Sequence, residues 1–187
     1  MTRPRPITEE KVLETVRQNI ADALRVPVEK IAPETSLVQD LGAESLDFLD
    51  INYRMEQSFG IRTARHFVIE HIEELFGEGA AVDESGRLTE KGAEVLRLRL
   101  GDHAELKAGM ALEDVPALVT VGAVASAIRD ILDTLPEACP QCGKSEWISQ
   151  DGTHVRCGAC AAPAPYATGD DLVRDWLRRV QDEKKIF

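Results

Sequence analysis

The sequence predicts a mainly α-helical fold: a small antiparallel bundle carrying an additional helical segment, then a short β-hairpin unit and one last helix. Two observations carry this reading. Apolar residues recur at three- and four-residue spacing over residues 12–24, 46–59 and 121–135. All four cysteines fall between residues 139 and 160, in two Cys-x-x-Cys pairs that flank a turn signal.

Composition bounds the function before any motif is read. With 187 residues, there is room for one ordinary domain and a small second one, expected at 1–135 and 136–187. No apolar run approaches the length of a membrane span, so no integral membrane segment is expected. Residues 1–6, Met1-Thr2-Arg3-Pro4-Arg5-Pro6, have a basic start without an apolar core behind it, unlike a signal peptide, and a poor helix start because of their prolines. A cytoplasmic location is the resulting expectation. The net charge of −11 argues against nucleic-acid phosphates as partners and for basic protein surfaces, or else serves only solubility.

The first helix is announced by Thr8 as N-cap, with Glu9 and Glu10 complementing the dipole of its first turn. Val12, Leu13, Val16, Ile20 and Leu24 form its apolar stripe, and the helix is expected to end before Pro27. Residues 27–41 read as a long loop packed down by Val28, Ile31, Leu37 and Leu41. A second helix is expected from about Ser45 to Phe59, stopped by Gly60. Leu46, Leu49 and Tyr53, together with Ile51, Met55 and Phe59, are expected to face a core. Asp47, Asp50 and Glu56 lie outside that stripe and are either a solvated face or a docking strip for basic partner surfaces.

Ser45 stands where the turn at Gly42 becomes this helix. Free backbone N–H groups and the helix dipole favour an anion there, so a phosphate ester on Ser45 would sit in a favourable field. The alternative is that Ser45 only caps the helix. Phe48 stands where a capping box would want Glu or Gln, which weighs mildly against capping alone.

Beyond Ile61, Arg65 to Phe76 reads as a helix ended by Gly77, Ala80 to Leu88 as a short hairpin turning at Glu84-Ser85-Gly86, and Thr89 as the cap of a helix running to Gly101. Leu88-Thr89-Glu90-Lys91-Gly92 also occurs in winged-helix DNA binders, a reading that the acidic surroundings disfavour. His66, His71 and His103 have no partners at metal or triad spacing and are expected to be exposed or capping residues. Thr120 caps a further helix with Val121, Val124, Ile128, Ile131 and Leu135 as its stripe.

Cys139-Pro140-Gln141-Cys142-Gly143 and Cys157-Gly158-Ala159-Cys160 are two knuckle words whose four thiolates would close a tetrahedral zinc site with no open position. Gln150-Asp151-Gly152 supplies the hairpin turn between them. Iron in the same ligand set and a redox Cys-x-x-Cys are the alternatives, the second lacking a βαβ setting. Zinc at Cys139, Cys142, Cys157 and Cys160 would stabilise the small ribbon, with protein contact a better second role than nucleic acid. After a stiff linker at 161–166, Asp170 and Asp171 open a last helix with Leu172, Val173, Trp176, Leu177 and Val180 on one face. Trp176 is expected to pack it onto the ribbon or the bundle.

The order of helix, long loop, Asp40-Leu41-Gly42-Ala43-Glu44-Ser45-Leu46, acidic helix and Phe59-Gly60-Ile61 resembles the acyl carrier proteins. Ser45-Leu46-Asp47-Phe48-Leu49-Asp50-Ile51 is most similar to carriers dedicated to very-long-chain acyl groups of lipid A. Leu112 to Leu118 followed by Thr120-Val121-Gly122 resembles the same family again, so the resemblance covers residues 7–61 and about 112–135, with 62–111 as an insertion. It implies an acyl-carrier-type bundle whose Ser45 holds 4′-phosphopantetheine and carries acyl groups as thioesters in fatty acid, polyketide or specialised lipid synthesis. It implies a phosphopantetheinyl transferase, a ketosynthase and other acyl-processing enzymes, and an unloading acyltransferase as partners, and no catalysis by the chain itself. Glu44 departs from the Asp usual before the serine. The insertion is extra apolar wall for an acyl chain, an added docking surface, or a cover for the bundle. The competing function is a zinc-ribbon interaction or regulatory protein that keeps the bundle as an unmodified scaffold.

Overall fold

The computed structural model describes residues 6–101 and 103–187. The expectation for the first residues falls on 1–5, outside the described residues. Among the described residues, six α-helices and one two-stranded sheet follow in the order α1 (Glu9–Leu24), α2 (Ser45–Phe59), α3 (Val68–Phe76), α4 (Glu90–Leu100), α5 (Val121–Leu132), β1 (Trp147–Ser149), β2 (Val155–Cys157) and α6 (Gly169–Lys184). Short 3₁₀ helices occupy Val28–Lys30 and Leu112–Leu118. Among the described residues, no helix is long and apolar enough to cross a membrane.

The helix starts follow their caps. The Thr8, Thr89, Thr120 and Thr168 hydroxyls accept the N–H groups of Lys11, Gly92, Ala123 and Asp171. The last helix therefore begins one residue before Asp170. The insertion's first helix begins at Val68 rather than Arg65, because residues 62–66 are committed elsewhere. Arg62 O accepts the Gly169 N–H at 2.9 Å, and the Asp170 carboxylate accepts the N–H groups of Arg65 and His66. The expected 80–88 hairpin is reduced to a single Val82↔Leu88 bridge, with Arg87 paired instead to Ala111.

Two buried clusters organise the chain. In the first, Val12, Val16 and Ile20 of α1, Ile51, Met55 and Phe59 of α2, and Val121, Ile128 and Ile131 of α5 meet Cys139, Trp147, Val155 and Cys157 of the ribbon. The ribbon thus shares the bundle's core. Trp147 donates its Nε1 hydrogen to Pro136 O at 2.8 Å, and the His154 ring bridges Asp151 Oδ2 (2.8 Å) and the carbonyl of Gln57 at the end of α2 (2.9 Å).

In the second cluster, Ile69 and Ile72 of α3 and Val95 and Leu96 of α4 pack with Val173 and Leu177 of α6. Trp176 packs in this cluster under the Arg99 guanidinium, not on the ribbon or the first core, because the insertion supplies the apolar surface it meets. The ribbon lies in the first core, whereas the last helix packs mainly in the second and touches the first through Leu172.

His71 corrects the reading of the histidines. It is fully buried, with Nε2 3.0 Å from Asp170 Oδ1 and Nδ1 3.6 Å from Glu74 Oε2. Asp170 gathers three donors from α3 and the segment before it, and a Cβ on the neighbouring Gly169 would overlap the Ala64 backbone. Desolvation acts to raise the Asp170 pKa, but the N–H groups of Arg65 and His66 and the His71 ring outweigh it and hold the carboxyl below its ordinary range. Its stabilising contribution is therefore fully present above the unfolded value of about 3.9 and fades as pH falls through the lower folded value.

Asp170→Ala, which strands these donors, is expected to cost about 2–3 kcal/mol in urea unfolding at neutral pH. Asp170→Asn is expected to flatten the wild type's loss of stability below about pH 4. A cost under about 0.5 kcal/mol, typical of an inert surface site, would contradict this role.

Candidate functional site

The turn that presents Ser45 is braced by residues distant in sequence. Ser36, a buried polar residue, donates its hydroxyl to Ala117 O at 2.7 Å, and its N–H to Asp40 Oδ2 at 2.7 Å. Leu37 N–H reaches Val119 O at 3.1 Å, and Ala43 N–H returns to Leu37 O at 2.8 Å. The segment that follows the insertion thus straps the loop leading into α2. The sequence signal for this strap was slight, a serine and an aspartate four apart in a loop.

Ser45 does not cap the helix. Glu44 is the N-cap, and its N–H is accepted by Asp47 Oδ2 at 2.8 Å, so the cap forms one residue earlier than the Ser45–Phe48 frame. Ser45 is the first helical residue, exposed, and its hydroxyl makes no hydrogen bond among the described residues.

Beside it lies a feature that sequence reasoning assigned to the core. Leu46, Leu49 and Tyr53 are 78%, 66% and 60% exposed, whereas Ile51, Met55 and Phe59 are buried. At about 100° per residue the two triplets point to opposite sides of α2, with Ser45 at the edge of the exposed one. Only one of the two stripes finds a core. The signal was available: two apolar stripes about half a turn apart cannot both face one bundle.

The acidic residues of α2 occupy different settings. Asp47 is engaged in the cap; Asp50 pairs with Arg54 at 2.9 Å, both partly exposed. Glu56 Oε1 accepts the N–H and hydroxyl of Thr63 at 2.9 and 3.1 Å, fixing the turn out of α2.

The second constellation is the cysteine cluster. The Sγ atoms of Cys139, Cys142, Cys157 and Cys160 all lie within 4.8 Å of one another, with Cys139–Cys160 at 3.7 Å and Cys142–Cys157 at 3.6 Å. A tetrahedral zinc tetrathiolate with bonds of about 2.3 Å has S–S edges of about 3.8 Å, whereas a disulfide needs about 2.05 Å. The donor set fits a metal. The two knuckles are built alike: the residue after each second cysteine, Gly143 and Ala161, has positive φ (71° and 61°), and its N–H bonds the carbonyl of the first cysteine. The N–H groups of Cys160 and Ala159 help lower the Cys157 thiol to about 7. The Ala162 N–H also acts to lower Cys160, but the crowding thiols of Cys142, Cys139 and Cys157 push it up to about 12. Four sulfurs this close cannot all ionise cheaply unless a cation sits among them.

Asp47→Ala, which leaves the Glu44 N–H without its acceptor, is expected to cost about 1 kcal/mol in urea unfolding. Ser45→Ala is expected to change stability by less than about 0.5 kcal/mol. The reverse order would make Ser45 the cap after all.

Comparison with known proteins places this geometry. Residues 14–75 match the family model described as "Phosphopantetheine attachment site", a span that contains the cap, Ser45 and the exposed stripe. The acyl carrier protein of Thermosynechococcus vestitus is 38% identical over 55 residues, 29% of this chain and 68% of that protein. That of Nitratidesulfovibrio vulgaris strain DP4 is 46% identical over 50 residues, 27% of this chain and 66% of that protein. Acyl carrier protein AcpXL of Mesorhizobium japonicum is 43% identical over 47 residues, 25% of this chain and half of that protein. No solved structure matches the chain. On the identity and coverage of these matches, and with a free hydroxyl at the start of α2, the chain belongs to the acyl carrier protein family.

Proposed function

We propose that the chain carries acyl intermediates as thioesters on a 4′-phosphopantetheine arm attached to Ser45, and that it is a carrier rather than an enzyme, as its relatives are. The observation that supports this most is the exposed Ser45 hydroxyl, free of the capping role and set on the first residue of α2. Attachment is a phosphoryl transfer: the Ser45 oxygen attacks the β-phosphorus of coenzyme A, and adenosine 3′,5′-bisphosphate leaves. The resulting phosphodiester anion lies at the positive end of α2.

The partners are a phosphopantetheinyl transferase and then chain-building enzymes of the ketosynthase kind, with an acyltransferase to unload, in fatty acid, polyketide or specialised lipid synthesis. Leu46, Leu49 and Tyr53 form their apolar anchor, and burying a leucine on docking contributes about 1.5–3 kcal/mol. Asp47 and Asp50 add charge that orients basic partner surfaces, while Glu56 is the acid least available for that role. The four cysteines hold zinc, which stabilises the ribbon within the carrier's core.

Incubation with coenzyme A and a promiscuous phosphopantetheinyl transferase is expected to add one phosphopantetheine by intact mass, and none to Ser45→Ala. Leu49→Glu is expected to lower kcat/KM of loading at least about tenfold, or about 1.4 kcal/mol, with its urea midpoint unchanged. Failure of the wild type to load alongside a control carrier would refute the carrier reading.

A further inference from the structure

The cysteine cluster has an asymmetry that a purely structural metal site does not require. Cys142 and Cys160 are exposed, while Cys139 and Cys157 are buried in the carrier's core. The short sulfur–sulfur distances pair one of each kind across the knuckles, Cys142 with Cys157 at 3.6 Å and Cys160 with Cys139 at 3.7 Å. Each pair therefore joins a cysteine at the exposed surface to one buried in the core. That is the arrangement of an attacking and a resolving thiol.

We infer that the cluster is a redox-released zinc site, in which peroxide-class oxidants convert the two cross-knuckle pairs to Cys142–Cys157 and Cys139–Cys160 disulfides. The exposed thiolate attacks the peroxide O–O bond, taking one oxygen as a sulfenic acid and releasing the other as water after protonation. The sheltered partner thiolate then displaces the sulfenic oxygen, which also leaves as water, and an S–S bond forms. Two peroxides accept the four electrons of four thiolates, four protons are taken up, and the divalent cation departs. A dithiol reductant and fresh metal reverse the change.

The consequence reaches the carrier, because Cys139, Cys157, Trp147 and Val155 are part of the core that holds Ile51, Met55 and Phe59. The hairpin also grips α2 through the His154–Gln57 contact. Closing the sulfurs from 3.6–3.7 Å to about 2.05 Å draws the knuckles together and loosens that grip at the end of α2 remote from Ser45. Oxidative conditions would thereby be felt by the helix that presents the acyl arm.

This inference rests on the zinc reading, and the experiment separates the two. Metal analysis of the full chain comes first: fewer than one zinc per chain after reconstitution would sink the zinc reading itself. The zinc-loaded protein is then titrated with hydrogen peroxide, with released zinc followed by a chromogenic chelator, free thiols by alkylation and mass, and linkages by peptide mapping. The expected result is one zinc released as the count of free cysteine thiols falls from four to none, with cross-knuckle peptides recovered and zinc binding restored by reductant. Zinc kept at peroxide levels that oxidise a free thiol would overturn the inference while leaving the zinc site standing. So would Cys139–Cys142 and Cys157–Cys160 linkages, or irreversible sulfinic products.

Discussion

Burial of Ile51, Met55 and Phe59 in the core shared with α1 and α5 fixes the rotation of α2, and the arrangement at Ser45 depends on that rotation. The three side chains recur every four residues, so they commit one side of the helix and leave the opposite side to solvent. Leu46, Leu49 and Tyr53 are then held outward at a cost in exposed apolar surface that folding alone would not select. Ser45, one residue before Leu46, inherits its outward position from the same constraint. A rotation of α2 by half a turn would hide the stripe and carry the Ser45 hydroxyl to the opposite flank of the helix.

Much of the remaining chain keeps α2 in that orientation. At the Ser45 end, Ser36 and Asp40 tie the loop to the segment 117–119 that follows the insertion. At the far end, Glu56 fixes Thr63, the 62–66 segment is caught by Gly169 and Asp170, and His154 reaches the Gln57 carbonyl. The insertion and α6 build their own core, joined to the bundle through α5 and the Arg99–Asp130 pair at 3.0 Å. The ribbon also packs in the core with α1, and none of the contacts named here involves the outward stripe.

Most elements were legible in the sequence because their signals are local. Threonine caps at 8, 89 and 120, the Gly60 stop and the paired Cys-x-x-Cys words each act within a few residues, and each stands where it was read. Most of what was missed depends on contacts between distant segments. The outward turn of Leu46, Leu49 and Tyr53 follows from which stripe finds a core, and composition treats both stripes alike. The burial of His71 follows from Asp170, ninety-nine residues away in sequence, and the place of Trp176 from an insertion whose packing no periodicity announces. The cap frame was missed by one residue because serine is the commoner cap, whereas here Asp47 satisfies the Glu44 N–H.

On the proposed function, the Ser45 hydroxyl is the attachment point and the rest of the chain orients it. The most direct test is the covalent state of the protein recovered from its own cells, read by intact mass and by fragmentation of the peptide that contains Ser45. The expected result is phosphopantetheine on Ser45, with a fraction of the arms bearing an acyl thioester that hydroxylamine removes. An unmodified Ser45 throughout growth, or the arm on another residue, would contradict it.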